Sequence, residues 1–206
     1  HSALLCFNRW GEDSRLYRAV KSASDFAIAL GINIPTGKDS MSMTQAYPDG
    51  SKVLSPGTLI ISTVAPVKDV NNIVRPYLKR SAGSKIFYIS FTKGNGGFPF
   101  CLGGSAFAQI LNQVGSDVPD ITDPLYFAET FGMVQQLVSD KLILAGHDVS
   151  SGGLITTLLE MCFANVKGGM KITSSAATGS KLESADLERI MFAENPGVIV
   201  QIAKEN

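Results

Sequence analysis

The stretch "NIPTGKDSMSM", Asn33 to Met43, sets a lysine, an aspartate and a serine directly after a glycine. Whether Gly37-Lys38 forms a phosphate loop decides the fold. The nucleotide-binding P-loop, G-x-x-x-x-G-K-[ST], must open a helix whose N-terminus faces the phosphates. Here Gly31 and Gly37 enclose five residues rather than four, and Lys38 is followed by Asp39. The next residues, "SMSMTQ", alternate like a strand. The P-loop reading fails on all three counts. What remains is a strand-to-strand turn carrying a cation, a carboxylate and a hydroxyl. Lys38 can neutralise phosphate oxygens, Ser40 can donate to one, and Asp39 can bind Mg²⁺ or orient Lys38. The same residues also describe an ordinary solvated turn whose internal Lys-Asp pair carries little energy.

Upstream of this turn, Leu16, Val20, Ala23, Ala27 and Leu30 recur at helical spacing from Ser14 to Leu30. Glu12 and Asp13 stand where a helix N-terminus favours negative charge, and Gly31 ends the helix. Ile32 to Ile34 reads as a short strand leading into the turn. Downstream, Tyr47-Pro48-Asp49-Gly50-Ser51 is a turn cluster. "TLIISTVAPV", Thr58 to Val67, has the β-branched density of a buried strand. The pattern changes around Pro66 to Pro76, which divides the chain into units 1–66 and 67–206.

In the second unit, Ile86 to Phe91 reads as a strand and "TKGNGGFPFCLGGS" as a glycine-rich loop, followed by a helix from about Ala106 to Val114. A dinucleotide fingerprint on Gly94, Gly96 and Gly97 would need a glycine where Pro99 stands. Asp123-Pro124 is a helix start with an N-cap and a first-position proline, and Phe127, Phe131, Val134 and Val138 then share a face. Leu142 to Ala145 reads as a strand, "HDVSSGG" as a loop, Leu154 to Asn165 as an amphipathic helix, and Gly197 to Ile202 as the last strand.

Composition bounds the function. With 45% hydrophobic and 17% charged residues among 206, the chain can build a sizeable core. Lys plus Arg and Asp plus Glu are both 18, which gives nucleic acid no excess of cations to recognise. No apolar run approaches the ~20 residues that span a bilayer. Cys6, Cys101 and Cys162 are odd in number and far apart, as expected of reduced thiols in a cytoplasmic protein. The chain opens on His1 without a visible signal peptide and reads as a piece of something longer.

Two further loops suit an anion. In "HDVSSGGL", His147 to Leu154, Asp148 supplies a hard oxygen ligand and Ser150 a donor, while Gly152-Gly153 let backbone amides approach a phosphate. The alternative is a plain capping loop closed by Ser150 or Ser151. Gly103-Gly104-Ser105 ahead of a helix is either an anion nest or close packing of helix on sheet. With His1 and His147 the only histidines, no zinc set and no Ser-His-Asp triad can be assembled, and Cys101 has no histidine in its segment to activate it. No residue is assigned as catalytic. Three anion-suited loops together favour phosphate and Mg²⁺ chemistry.

"IPTGKDSMSM", "SPGTLIISTVAPVKDV", "CLGGSAFAQIL", "VPDITDP" and "HDVSSGGLITTLLEMCFAN" resemble, in order, the second half of the synthetase core of the large phosphoribosylformylglycinamidine synthases; "WGEDSRLYRAV" and "FAENPGVIVQI" fit too. The resemblance spans essentially the whole chain. It implies an α+β, aminoimidazole-ribonucleotide-synthetase-like fold. Residues 1–66 would be the end of a second N-terminal domain, and 67–206 most of a second C-terminal domain. The activity implied is ATP-dependent conversion of formylglycinamide ribonucleotide and glutamine to the amidine, in purine biosynthesis, with ADP, phosphate and glutamate released. By resemblance, Gly37, Lys38, Asp39 and Ser40 lie on the nucleotide and substrate side, Asp148 is a Mg²⁺ ligand and Ser150 contacts nucleotide. Asp148 and Ser150 fit a structural, auxiliary Mg-ADP site better than the turnover site.

The departures are specific. The family's upstream E-x-x-x-N ligand helix, its first synthetase half and its glutaminase domain would all be partners supplied from elsewhere. Val149 and Ser151 stand where the family often has a basic residue and an aspartate. The expectation is therefore a fragment inactive alone that binds Mg-nucleotide weakly at best. A purely structural nucleotide-holding module, or another member of the superfamily, is the alternative.

Overall fold

The computed structural model describes residues 2–5, 11–40, 43–93, 100–172 and 184–204. Cys6, His1, Met41, Ser42 and the glycines Gly94, Gly96 and Gly97 lie outside them. The chain divides into two compact units, His1–Lys68 and Asp69–Asn206.

The first unit is built on strand β1 (Ser2–Leu5), helix α1 (Glu12–Ala29) and strands β2 (Gly37–Ser40), β3 (Thr44–Ala46), β4 (Lys52–Leu54) and β5 (Thr58–Ile61). Helix α1 opens on Gly11, at φ 90°, with Glu12 and Asp13 in its first turn. It ends where Gly31, at φ 67°, adopts the left-handed conformation. Gly31 N–H then donates to Ile28 O at 3.1 Å and Ile32 N–H to Ala27 O at 2.8 Å, closing the last turn.

Three strands form one sheet in the order β2-β1-β5, with β2 parallel and β5 antiparallel to β1. A separate hairpin joins β3 and β4 across the Pro48–Gly50 turn. There the Asp49 carboxylate accepts Ser51 N–H at 2.9 Å and Ser51 Oγ–H at 2.6 Å.

Three expectations change here. The strand ahead of the motif is not Ile32–Ile34: residues 32–36 are irregular, and Gly37–Ser40 is itself the strand. The segment from Thr58 is a strand only to Ile61, and Leu59, Ile60 and Ile61 are all exposed, at 38%, 52% and 50%. Strand β4, between the turn cluster and β5, was not anticipated.

The second unit holds strands β6 (Lys85–Ser90), β7 (Ile143–Asp148) and β8 (Gly197–Ile202) with helices α2 (Ala106–Ile110), α3 (Pro124–Ser139), α4 (Gly153–Glu160) and α5 (Ser184–Phe192). Its sheet is wholly antiparallel in the order β6-β8-β7, so the last strand of the chain is the central one. Side chains alternate across β8. Ile199 joins Ala145 of β7 and Leu158 and Met161 of the α4 region in the buried core, with Leu78, Tyr88 and Leu154 packed around it. Val198 and Val200, with Val134 and Val138 of α3, line a cleft of about 370 Å³ that Ile199 also borders.

Helix α3 starts as the sequence indicates: Asp123 accepts Tyr126 N–H at 3.0 Å. Phe127 and Phe131 pack on Phe91 with ring centroids 5.2 and 6.3 Å away. Helices α2 and α4 are shorter than their apolar patterns suggest, ending at Ile110 and Glu160. Strand β7 is longer than expected and takes in His147 and Asp148. Gln201, buried on β8, matches a loop backbone as a strand would. Its Oε1 accepts Lys79 N–H at 2.8 Å and its Nε2 donates to Lys79 O at 2.9 Å. No helix among the described residues is long and apolar enough to cross a membrane.

Candidate functional site

The most site-like feature of the second unit lies where β7 hands over to α4. Asp148 ends the strand, and its side chain is 78% exposed. Its main chain is nevertheless fixed, because Asp148 pairs with Val198 and the next amide, Val149 N–H, donates to Gly197 O at 2.9 Å. An exposed carboxylate on a fixed backbone is well placed to meet a cation. His147, one residue earlier, turns back into the unit: Nδ1 lies 2.8 Å from Asp148 O and Nε2 3.4 Å from a Glu160 oxygen. The histidine is therefore a hydrogen-bonded structural residue between two acidic neighbours. His147 and Asp148 also line the apolar cleft beneath α3, whose size is in the range of small-ligand pockets.

The turn from Val149 to Gly152 leads into α4. Ser150 O accepts Gly153 N–H at 3.0 Å, which folds the turn tightly. Neither serine caps the helix. The N-cap is Gly152, at φ 88°, with no side-chain bond to the helix amides. Gly153 is required by space: a Cβ there would lie 2.6 Å from the Phe192 carbonyl carbon and 2.7 Å from Ala193 O. The Gly152 amide meets an anion that belongs to the chain itself, donating to Glu194 Oε1 at 2.8 Å.

The Gly103-Gly104-Ser105 loop is closed in the same manner. Gly103 N–H donates to Asp117 O at 2.8 Å, Gly104 N–H to Val114 O at 2.7 Å and Ser105 N–H to Leu102 O at 3.1 Å. A Cβ on Gly103 would lie 2.5 Å from Asp117 O. Ser105 is 2% exposed; its Oγ donates to Leu102 O at 2.7 Å and accepts Ala108 N–H at 3.2 Å as the N-cap of α2. Of the two readings of these three residues, anion nest or capping and close packing, the second is favoured by the carbonyl partners that all three amides already have. Burial, then Asp117, raises the Cys101 thiol above its usual range, against any nucleophilic role.

In the first unit Gly37, Lys38, Asp39 and Ser40 are strand rather than turn, in register with Ser2, Ala3, Leu4 and Leu5. The strand is at the sheet edge, Lys38 is exposed and Ser40 is half-buried. Alternation along β2 places Lys38 and Ser40 on one face.

Among the described residues, no group of three or more histidine, cysteine or acidic side chains could hold a metal ion. Asp148 alone fits Mg²⁺ only in the way that ion is commonly held, through one or two carboxylates with substrate phosphates and water completing the shell. The residue that sequence reasoning missed is Glu194. Its signal was an acid in "FAENPGV", between the last helix and the central strand, in a stretch that is otherwise apolar apart from Asn195.

Comparison with known proteins agrees with this architecture. Residues 3–66 match the FGAR-AT PurM_N-like domain, and residues 95–206 match the AIR synthase related protein, C-terminal domain. A probable phosphoribosylformylglycinamidine synthase of Arabidopsis thaliana, chloroplastic/mitochondrial, is 39% identical over 198 residues, covering 95% of this chain and 13% of that protein. The phosphoribosylformylglycinamidine synthase of Dictyostelium discoideum is 40% identical over 202 residues, covering 95% of this chain and 14% of that protein. The chain thus spans about one seventh of the length of the curated relatives it matches. Among solved structures, T. maritima PurL complexed with FGAR superposes with a TM-score of 0.55 at 14% identity, over 99% of this chain and 31% of that one. The fold is an AIR-synthase-like α+β fold. Through its match over residues 95–206, the chain belongs to the AIR synthase related protein family, and it is similar to a segment of the phosphoribosylformylglycinamidine synthases.

Proposed function

We propose that this chain is one part of an ATP-dependent ligase that converts formylglycinamide ribonucleotide and glutamine to formylglycinamidine ribonucleotide, in purine biosynthesis. The observation that carries the reading is the exposed Asp148 carboxylate on a fixed strand end, directly ahead of Ser150 and the start of α4. The likeness to two named synthases over 95% of the chain supports it. Mg²⁺, arriving with ATP or ADP, would take Asp148 as a ligand and supply charge neutralisation to the phosphates. Ser150 would donate to a phosphate oxygen. Lys38 and Ser40, on one face of β2, would meet phosphate of nucleotide or substrate, with Gly37 admitting close backbone approach. The first synthetase half and a glutaminase would be partners, and the exposed aliphatic residues of β5 favour such a covering neighbour. Residues 1–66 would be the end of the N-terminal domain, and 67–206 most of the C-terminal domain, of the second synthetase unit.

A second reading is favoured by the acid set. Asp148 stands without two further carboxylate, histidine or cysteine ligands among the described residues, which suits a nucleotide held for structure as well as one that turns over.

The test uses the full-length ligase. Because Gly37–Ser40 is a paired strand, deleting it would remove sheet hydrogen bonds along with the side chains; Lys38→Ala removes the cation alone. Lys38→Ala is expected to lower amidine formation by about 100-fold, the scale of losing one preorganised electrostatic partner. Asp148→Ala lowers turnover comparably if the site is catalytic. If the site is auxiliary, it instead strips co-purified nucleotide and lowers stability. Full turnover by Lys38→Ala, together with unchanged nucleotide content in Asp148→Ala, contradicts the proposal.

A further inference from the structure

Glu194 lies between α5 and β8, outside the loops that the sequence offered to a ligand. A single carboxylate oxygen, Oε1, accepts Ala106 N–H at 2.8 Å and Gly152 N–H at 2.8 Å. Ala106 is the first residue of α2 and Gly152 is the N-cap of α4, so one charge serves the starts of two helices. Helix starts leave unpaired N–H donors, and bonds from them to a carboxylate are about twice as strong as neutral ones.

The flanking residues fasten the same two loops. Asn195, buried at 3% exposure, accepts Cys101 N–H at 3.1 Å through Oδ1. Phe192 stacks on Phe107 of α2 at 4.5 Å. Gly153 rests against the Phe192–Ala193 backbone at a distance that excludes any side chain.

We propose that Glu194 is the positioning residue of the β7–α4 turn. Asp148 is held by the sheet, through its pairing with Val198 and the Val149–Gly197 bond. The far end of the turn is held by Glu194. Between these two anchors the carboxylate sets where Ser150 stands relative to Asp148, and it couples that turn to the loop ending at Ser105. It also has a consequence for the ligand. With the Gly152 amide taken from within, phosphate is left to Ser150 and to a cation on Asp148, so the turn selects a cation-bound polyphosphate over bare phosphate. This inference rests on the nucleotide reading of the turn.

The test uses the ¹⁵N-labelled chain and reads amide exchange together with titration by Mg-ADP and by inorganic phosphate alone. In Glu194→Ala, protection of the Ala106 and Gly152 amides falls together by about tenfold or more, the value of one lost charge-assisted bond, while Val149 stays protected. Glu194→Gln restores part of both, because its Oε1 accepts the same two donors without the charge. Mg-ADP moves the Ser150 resonance in the wild-type chain and inorganic phosphate alone does not. Glu194→Ala weakens that Mg-ADP response about tenfold, Glu194→Gln weakens it less, and Asp148→Ala removes it.

Should Glu194→Ala fail to fold, Glu194→Asp, one methylene short of both donors, carries the same comparison. Unchanged protection at Ala106 and Gly152 overturns the proposal. So does an unchanged Ser150 response in Glu194→Ala where Asp148→Ala abolishes it. A wild-type chain unmoved by Mg-ADP, or one in which Asp148→Ala binds normally, counts against the nucleotide reading itself, and the exchange pattern then decides the anchoring by Glu194 separately.

Discussion

Gly153 shows how much one missing side chain can fix. It combines a left-handed φ of 72° with a backbone neighbour 2.6 Å from where a Cβ would sit. Gly104 has nearly the same φ, 75°, but its Cβ would meet only Val118 Cγ1, at 3.9 Å. The conformational penalty for a non-glycine residue in this region is about 1–2 kcal/mol. Gly104→Ala should therefore lose about that much stability in urea unfolding, with a comparable m-value. Gly153→Ala should lose clearly more, because backbone on both sides must also move. Equal losses would mean that conformation alone, and not the packing of α4 on the Phe192–Ala193 segment, sets the need for glycine. Both glycines had been read in the sequence as amides for a ligand. At this scale the sequence identifies a special residue but not which of its properties is used.

At the scale of elements, what was legible is what is encoded locally. Gly31 ends α1, Asp123-Pro124 starts α3, and the valine-isoleucine run of β8 is a strand because each signal lies within a few residues of its effect. Strand β2 was read as a turn because its partner, Ser2–Leu5, is some distance up the chain, and a four-residue edge strand carries little pattern of its own. Glu194 was missed for the same reason: its two partners are 42 and 88 residues away.

Helix α3 offers a pH test of a local signal. The Tyr126 amide, and then Lys93, hold the Asp123 carboxyl below its ordinary value of 3.8. A carboxyl depressed on folding contributes stability that is complete above its unfolded pKa and is lost as pH falls through its folded one. The contribution of Asp123 is thus whole at neutral pH and disappears below about pH 3.8. Asp123→Asn keeps an acceptor for Tyr126 N–H but loses the titration, so thermal unfolding of the variant should depend less on pH between 5 and 2 than the wild type does. Identical acid limbs would show that the carboxylate is not the linked group.

The two units of the molecule differ in how completely they close. The second buries a contiguous core on β8, from Ala145 and Ile199 to Met161. In the first, β5 carries three exposed aliphatic residues and α1 buries only Ala27. The sequence showed the apolar residues of β5 but not their exposure, since composition identifies what is fit to be covered and not what covers it. Of the three loops the sequence offered to phosphate, Gly103–Ser105 is closed upon its own carbonyls and the Gly152 amide upon Glu194. That leaves Asp148 and Ser150 in the second unit, and Lys38 and Ser40 in the first, as the residues of the proposed ligand site.

The most direct measurement is a crystal of this chain soaked in millimolar Mn²⁺-ADP and read by the anomalous signal of the metal. The account places a manganese peak at direct ligand distance, about 2.1 Å, from an Asp148 carboxylate oxygen, with phosphate density reaching Ser150 Oγ and no such peak in Asp148→Ala crystals. A metal bound elsewhere, or phosphate seated on the Gly152 amide with Glu194 displaced, would contradict it.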